Sequence, residues 1–427
     1  MPTTTVVESA EVEAAVVAPT STPTRRRTVN FARNTRAFKR TYRMARRTWK
    51  TDHENPLVSF HAEGGSILGE ETSPVGHMFG IEMEFNNGDQ DSFTTDCSEC
   101  EYDGCEECGC DHETCGGHGA IADFLFGLGL LDSPIQSCYH SGSYDANKWR
   151  FEEDATVSGG EVITKVLHDN TDSWQMLTQV IEGLNTHNAD ATETNAGGHI
   201  HIDSTGLGNN AENWARLDKL AAKFEDVMFR LATNPHRARR ASATRGSNVL
   251  SLHRRRSNSY CEPIARRAEG DSSSRYYNGT YGALGNVGHL SRSTWLNVTG
   301  NVNSNTGMGH VEFRIFDGCL DAAMIQTHVK IAVAMMRAAC NPAIDEALNA
   351  MPDRPLGWHR KQDWWKNEDG TRKGSLRGEG WINDSLAIRQ FVDMMFDNTT
   401  DREQIITLFA MNDWSYSRRR GQRSRRY

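Results

Sequence analysis

The sequence contains 427 residues, with 37% hydrophobic residues and a formal net charge of −9, which is enough chain for about two or three domains, or for one large domain with additions. No apolar run reaches the roughly 20 residues of a transmembrane helix, and the first residues lack the basic and apolar blocks of a signal peptide. We therefore expect a cytoplasmic protein that does not span a membrane.

The first 50 residues divide into two segments. Residues 1–24 are rich in Thr, Val, Ala and Pro, which predicts a disordered leader, and residues 25–50 form an arginine-rich arm. Four aromatic residues interrupt the basic ones: Phe31, Phe38, Tyr42 and Trp49. The arm and the basic tail, residues 418–427, could contact nucleic acid with the aromatic rings stacked on bases. Packing of the arm on the protein core is the alternative.

Residues 79–85 alternate between apolar and acidic side chains. As a β-strand, this segment places Glu82 and Glu84 on the face opposite its four apolar residues. Two neighbouring carboxylates repel each other when they are enclosed, so a divalent cation is a natural ligand. A solvated acidic face on an edge strand is the alternative for this segment taken alone.

A cysteine-rich insertion, residues 88–118, follows this strand. It contains two Cys-x-x-Cys pairs, further cysteines, and His112 and His118 nearby. The spacing predicts one or two structural zinc ions, because each pair presents two thiolates to a tetrahedral ion. The predicted ligands are Cys97, Cys100, Cys105, Cys108, Cys110 and Cys115.

The remaining pattern alternates short strands with amphipathic helices. Strands are predicted at residues 149–154, 161–164, 197–203, 295–298 and 311–316, and helices at 120–131, 211–233, 321–340, 384–396 and 401–412. A further helix is expected after Asp172 as its N-cap. The tryptophan-rich stretch 351–381 is irregular and could form a lid or a packing flap.

Two of these strands carry further polar faces. Residues 197–203 would aim His199, His201 and Asp203 to one side, and residues 311–316 place Glu312 and Arg314 together. Carboxylates combined with a histidine suit Mg²⁺ or Mn²⁺, ions that commonly bridge nucleotide phosphates.

Four segments in order carry a resemblance to a known family. They are Phe79-Gly80-Ile81-Glu82-Met83-Glu84-Phe85, Asp154-Ala155-Thr156-Val157-Ser158-Gly159-Gly160-Glu161, Gly198-His199-Ile200-His201 and Val311-Glu312-Phe313-Arg314. This series resembles the amidoligase family of carboxylate-amine ligases, which are similar to glutamine synthetase and glutamate-cysteine ligase. The resemblance covers residues 76–340, the predicted catalytic domain. The region after it, residues 341–417, lies outside the resemblance and is predicted to be a helical extension.

The resemblance implies an α+β fold in which a curved antiparallel β-sheet forms a funnel of glutamine-synthetase-like type, with helices on its outer side. By motif position, Mg²⁺ or Mn²⁺ would be held by Glu82, Glu84, Glu161, His199 and Glu312. Asp154 would line the site, with Glu153 as its rival, and Arg314 would neutralise the γ-phosphate. ATP would also contact His201, Asn297 and Arg292.

The implied reaction is ATP-dependent formation of an amide or isopeptide bond through an acyl phosphate. The carboxylate and the amine could each belong to a peptide or a protein. One alternative is a metal-dependent amidohydrolase that uses the His-x-His strand. Another is a non-enzymatic zinc protein that binds nucleic acid through its basic arms.

Overall fold

The computed structural model describes residues 28–58, 67–68, 78–87, 119–137, 145, 147–192, 195–208, 210–236, 261, 264, 290, 292, 294–298, 309–351 and 385–412. The predicted leader, the zinc insertion at 88–118 and the basic tail at 418–427 lie outside the described residues. Most of the tryptophan-rich stretch also lies outside them.

The described residues form both helices and strands. The α-helices are α1 (Thr35–Arg47), α2 (Ala120–Gly127), α3 (Thr171–Thr186), α4 (Ala211–Ala232), α5 (Ala322–Ala339), α6 (Asp345–Ala350), α7 (Ser385–Met395) and α8 (Thr399–Met411). The strands are β1 (Met78–Asn87), β2 (Arg150–Glu152), β3 (Gly160–Ile163), β4 (Leu167–His168), β5 (Ala189–Asp190), β6 (Gly197–Asp203), β7 (Leu296–Asn297) and β8 (His310–Asp317). None of these helices is long and apolar enough to cross a membrane.

The strands form one open sheet in the order β2-β3-β1-β6-β8-β7, and β4 and β5 also pair with β1. Every pairing between these strands is antiparallel. Helices combined with an open antiparallel sheet confirm the predicted α+β class.

Alternation in β1 explains how this sheet forms its core. Phe79, Ile81, Met83 and Phe85 are buried. The Phe79 ring stacks on Trp174 of α3 with the ring centroids 4.8 Å apart. Since successive side chains of a strand point to opposite faces, the acidic residues of β1 lie on the face away from α3.

A β-bulge in β8 changes the sheet face to which the following side chains point. Ile200 pairs with Phe313 but Gly198 pairs with Phe316, so β8 contains one extra residue between these pairs. Bulges of this kind redirect side chains next to functional sites. Phe316 consequently stacks on His328 of α5 at 4.3 Å between ring centroids.

The remaining helices pack outward from the sheet. α4 packs on β8, α5 packs on β6 and against α4, and α7 and α8 contact both α4 and α5. Nearly every residue of α5 is buried, which fits a helix enclosed between the sheet and other helices.

The N-terminal arm docks on the C-terminal helices. Phe31 is fully buried, and its backbone N–H donates to Asp393 of α7 at 2.9 Å. α1 packs along α8, with Tyr42 and Phe409 in edge-to-face contact. Of the two alternatives for this arm, packing on the core is the one seen for its aromatic residues.

The predicted N-cap of α3 is wrong by two residues. Asn170, not Asp172, adopts the extended cap conformation, and its side chain accepts from the backbone N–H of Ser173 at 2.9 Å. Asp172 lies in the first turn, where its charge favours the helix N-terminus.

Candidate metal centre

The polar face of the sheet gathers acidic residues and histidines from five strands. In an antiparallel pair, directly opposed residues project to the same face. The opposed polar pairs are Glu152 with Glu161, Glu161 with Glu84, Glu82 with His199, His201 with Glu312, and Glu312 with Asn297. The sheet register therefore brings together side chains that are up to 230 positions apart in the chain.

These side chains form two possible metal-binding triads. One consists of Glu82, His199 and Glu312, and the other of Glu84, Glu161 and His199. Within each triad the potential ligand atoms lie within 4.8 Å of one another. Carboxylate oxygens with one imidazole form a donor set typical of Mg²⁺ or Mn²⁺.

His199 belongs to both triads because its two ring nitrogens point in different directions. Nδ1 contacts Glu82 Oε2 and lies 3.5 Å from Glu312 Oε1, whereas Nε2 lies 3.5 Å from Glu84 Oε1. A neutral imidazole has one lone pair and one N–H. His199 can therefore ligate a cation in one triad while it donates a hydrogen bond to a carboxylate of the other.

Glu82 links the two histidines of β6. Its Oε1 lies 2.8 Å from His201 Nε2, in addition to the contact between Oε2 and His199. Although burial by itself would raise the pKa of Glu82, His201 and His199 hold it well below its usual range. Burial opposes the charge on His201, but the carboxylate of Glu82 raises the pKa of this histidine.

Glu161 has the opposite electrostatic environment. Burial raises its pKa well above the usual value, and the carboxylates of Glu82, Glu84 and Asp154 add to the increase. Several carboxylates here share one low-dielectric region, so a divalent cation would relieve their repulsion. The residues present thus fit a hard divalent ion in both chemistry and charge.

Glu312 carries its own counter-ion. Burial would raise its pKa, but Arg314 and both histidines of β6 lower it. Arg314 Nη1 forms an ion pair with Glu312 Oε1, and Asn297 Nδ2 donates to Oε2 at 2.7 Å. This part of the site therefore presents a guanidinium beside the candidate metal ligands.

The other predicted site residues lie at different distances from the acidic cluster. Asp154 is half-buried in the turn before β3 and accepts from the backbone N–H of Thr156 at 2.7 Å. Thr156 Oγ1 lies 3.3 Å from Glu84 Oε2, which connects this turn to the cluster. Glu153 is exposed, so Asp154 is the carboxylate turned toward the cluster. Arg292 is exposed as well.

Sequence reasoning missed Glu152. This residue is buried, lies opposite Glu161, and forms an ion pair with Arg150 at 2.7 Å. The available signal in the sequence was the apolar Phe151, because its neighbours in a strand point to the opposite face. In the structure the Phe151 ring stacks on Phe85 on the core side.

His310 was missed as well. Its ring lies edge-to-face with His201, with the ring centroids 4.9 Å apart. Burial, assisted by His201, lowers the pKa of His310 to about 4. A neutral imidazole therefore flanks the acidic cluster at neutral pH.

Gly160 allows the close packing of the strands that carry Glu152 and Glu161. Its φ is +118°, a backbone conformation that favours glycine, and a Cβ at this position would lie 2.6 Å from the carbonyl oxygen of Glu152. The glycine is thus required by both the backbone and the neighbouring strand.

Comparison with known proteins identifies the family of this chain. A family model described as "putative amidoligase enzyme" matches residues 122–336, half of the chain. The chain belongs to this amidoligase family. The family description indicates a ligase, and the match confirms the resemblance that the sequence motifs suggested. No curated protein matches the sequence.

The matched range of this amidoligase-family chain includes β2, β3, β6, β7 and β8 but begins after β1. β1 nevertheless lies between β3 and β6 and contributes Glu82 and Glu84 to the two triads. The acidic strand that precedes the family match is therefore part of the same sheet and the same cluster.

Proposed function

We propose that this protein is an ATP-dependent carboxylate-amine ligase that forms an amide or isopeptide bond. The observation that carries the proposal is the pair of triads sharing His199, next to Arg314, on one face of the sheet in an amidoligase-family chain. We further propose that this face forms one wall of a funnel of glutamine-synthetase-like type.

The metal-binding residues in this proposal are Glu82, Glu84, Glu161, His199 and Glu312. When bound, Mg²⁺ or Mn²⁺ would neutralise charge on the nucleotide phosphates. Glu152 is directly opposite Glu161, but its charge is balanced by the ion pair with Arg150, so it is not among the proposed ligands.

The proposed reaction has two steps. An oxygen of the substrate carboxylate attacks the γ-phosphorus of ATP, the bond from this phosphorus to the bridging oxygen breaks, and ADP leaves. The amine nitrogen then attacks the acyl carbon, loses a proton, and displaces inorganic phosphate. Arg314 would stabilise the charge of the transferred phosphoryl group, because preorganised cations act strongly in an enclosed site.

The other polar residues would position the substrates. Asn297 and His201 are held against Glu312 and Glu82 by hydrogen bonds, so we propose that they orient the nucleotide. Arg292 is exposed and would reach ATP only from the rim. Asp154 would line the site through its contact with Thr156.

The antiparallel sheet argues against the amidohydrolase alternative. That alternative places a His-x-His motif on a strand of a parallel barrel. His199 and His201 instead lie on β6, between two antiparallel neighbours, and both contact Glu82. Their geometry favours an acidic metal centre over a histidine-dominated one.

The cysteine-rich insertion retains its proposed role as a structural zinc site. Its ligands would come from the six cysteines between residues 97 and 115, and a closed thiolate site of this type contributes to folding and not to catalysis.

Nucleotide binding provides the decisive experiment. Wild-type protein should bind a fluorescent ATP analogue in Mn²⁺ but not in EDTA, and Glu82→Ala should lose this metal-dependent binding. Glu182→Ala removes an exposed carboxylate from α3 and should behave as wild type. A wild-type protein that shows no metal-dependent nucleotide binding would overturn the proposal.

The amide-forming step needs a separate readout. Mass spectrometry of mixed carboxylate and amine acceptors, incubated with ATP and Mg²⁺, should detect a condensation product together with ADP. ADP formation without any condensation would instead indicate a nucleotide hydrolase.

A further inference from the structure

The exposed face of α1 is strongly basic. The opposite face is buried: Phe38 and Ala45 are each at most 5% exposed, and Tyr42 contacts α8. The basic residues of the helix are all exposed, namely Arg36, Lys39, Arg40, Arg43, Arg46 and Arg47. The sequence of α1 contains no acidic residue. At its C-terminal end, Arg47 Nε lies 4.0 Å from Asp52 Oδ2.

Four of the arginines form a stripe. Arg36, Arg40, Arg43 and Arg47 are spaced four, three and four residues apart, so they follow one face of the helix at separations of about 5–6 Å between neighbouring Cβ atoms. With a rise of 1.5 Å per residue, the stripe is about 17 Å long. Like charges at this spacing destabilise an isolated helix slightly, and an anionic partner would remove that cost.

The buried aromatic residues limit the kind of partner. Phe31 and Trp49 are fully buried and Phe38 is 4% exposed, so these rings cannot stack on nucleic-acid bases without undocking the arm. Proteins that bind single strands depend on such stacking. The exposed arginines of α1 can still contact the phosphate groups of a nucleic acid, since the planar guanidinium forms paired hydrogen bonds with phosphate oxygens.

Two other partners fit this face less well. An amphipathic helix binds a membrane by inserting its apolar face, but that face of α1 is occupied by α8. Protein interfaces usually contain an apolar centre depleted of charge. On α1 the exposed large hydrophobic residue is Met44 alone.

We infer that the exposed face of α1 binds the phosphate backbone of double-stranded nucleic acid, without base-specific contacts. The helix is held in place for this role by Arg389 of α7, which donates to the carbonyl oxygen of Ala32 at 3.0 Å and to Thr35 Oγ1 at 2.8 Å. The site is separate from the metal centre and independent of the proposed ligase activity.

Fluorescence anisotropy of a labelled 20-base-pair duplex of random sequence would test the inference in the full chain. The test variant is Arg36→Gln, Arg40→Gln and Arg43→Gln combined. Glutamine has nearly the helix propensity of arginine, so the fold should persist, and circular dichroism would verify this. The basic segments before and after the described residues are unchanged in this variant.

We expect about a tenfold or larger loss of duplex affinity at 100 mM salt. The slope of log K against log salt should become shallower by up to about 2.7, since each phosphate contact contributes about 0.9. A charge-matched control neutralises three exposed lysines elsewhere: Lys148→Gln, Lys165→Gln and Lys219→Gln. This control should bind as wild type.

Several results would overturn the inference. Wild-type protein that does not bind the duplex, or an equal loss in the test and control variants, would exclude a specific face on α1. Tighter binding to a single strand would contradict the exclusion of stacking. Stronger binding to polyglutamate or to phosphatidylserine vesicles than to the duplex would indicate an acidic protein or a membrane as the partner.

Discussion

Replacing Glu161 by Gln should change how the stability of the metal-free protein depends on pH. Burial and the carboxylates of Glu82 and Glu84 raise the pKa of Glu161 well above 4.5. The folded protein therefore holds this proton more tightly than the unfolded chain. The stabilisation is complete below the unfolded pKa and is lost as pH rises toward the folded pKa.

The magnitude follows from one proton. While Glu161 is protonated in the folded protein and ionised in the unfolded chain, the free energy of unfolding falls by about 1.4 kcal/mol per pH unit. Glutamine keeps a neutral group of similar shape and does not titrate. Between pH 4.5 and the raised pKa of Glu161 in the folded state, the free energy of unfolding of Glu161→Gln should therefore increase relative to wild type by about 1.4 kcal/mol per pH unit.

Urea unfolding of EDTA-treated protein between pH 4.5 and 7.5 would measure this difference. His201, with a raised pKa, and His310 and His328, with pKa values lowered to about 4, also make stability depend on pH. Both proteins contain these histidines, so the difference between the two pH curves reports Glu161 together with its coupling to Glu82 and Glu84. Addition of Mn²⁺ at 100 times its Kd should stabilise wild type by about 2.7 kcal/mol and the variant by less.

Glu182→Gln serves as the control, because this carboxylate is exposed on α3. Its free energy of unfolding should change with pH in parallel with that of wild type. If the curves for Glu161→Gln and wild type are also parallel, Glu161 does not hold an extra proton in the folded state. That result would exclude a cluster whose excess of carboxylates requires a cation.

Three further outcomes are expected. Gly160→Ala should destabilise the protein by about 1–3 kcal/mol in urea unfolding, since its φ is +118° and its Cβ would approach the neighbouring strand, whereas Gly127→Ala has nothing within 4 Å and should be nearly neutral. Phe79→Ala should cost about 3–5 kcal/mol through loss of core packing; a cost below 1 kcal/mol would contradict the described stacking. Elemental analysis should find zinc that is lost when Cys97 and Cys105 are both replaced by serine, and zinc-free wild-type protein would refute the proposed knuckles.

Periodicity in the sequence was sufficient to predict the longer strands of the sheet and most of the longer helices, because it records which face of a segment is buried. Helices α1 and α6 and the short strands β4 and β5 were not predicted. The strand at residues 197–203 was predicted with the bounds that the structure shows, Gly197–Asp203. The helix predicted at 211–233 ends one residue earlier, at Ala232. In β1 the alternation of apolar and acidic residues was sufficient to place Glu82 and Glu84 on the polar face.

Which polar residues meet depends on how the strands pair. Strand order and register depend on contacts between distant segments, and periodicity carries no information about them. Pairing across β2 and β3 identified Glu152 as an additional carboxylate and left Glu153 exposed. Because β6 lies between β1 and β8, His199 is close to carboxylates of both strands and belongs to both triads.

The basic arm is a second case in which the sequence pattern left alternatives that the packing of the protein resolves. Its sequence established that arginines and aromatic rings alternate, which is compatible with stacking on bases or with packing on the protein. Docking of the arm on the protein decided between them for the rings: Phe31 is buried beside α7 and Trp49 against His236, and burial of these rings removes apolar surface from water. The arginines between them remain on the outside because a charged guanidinium without a partner is costly to bury.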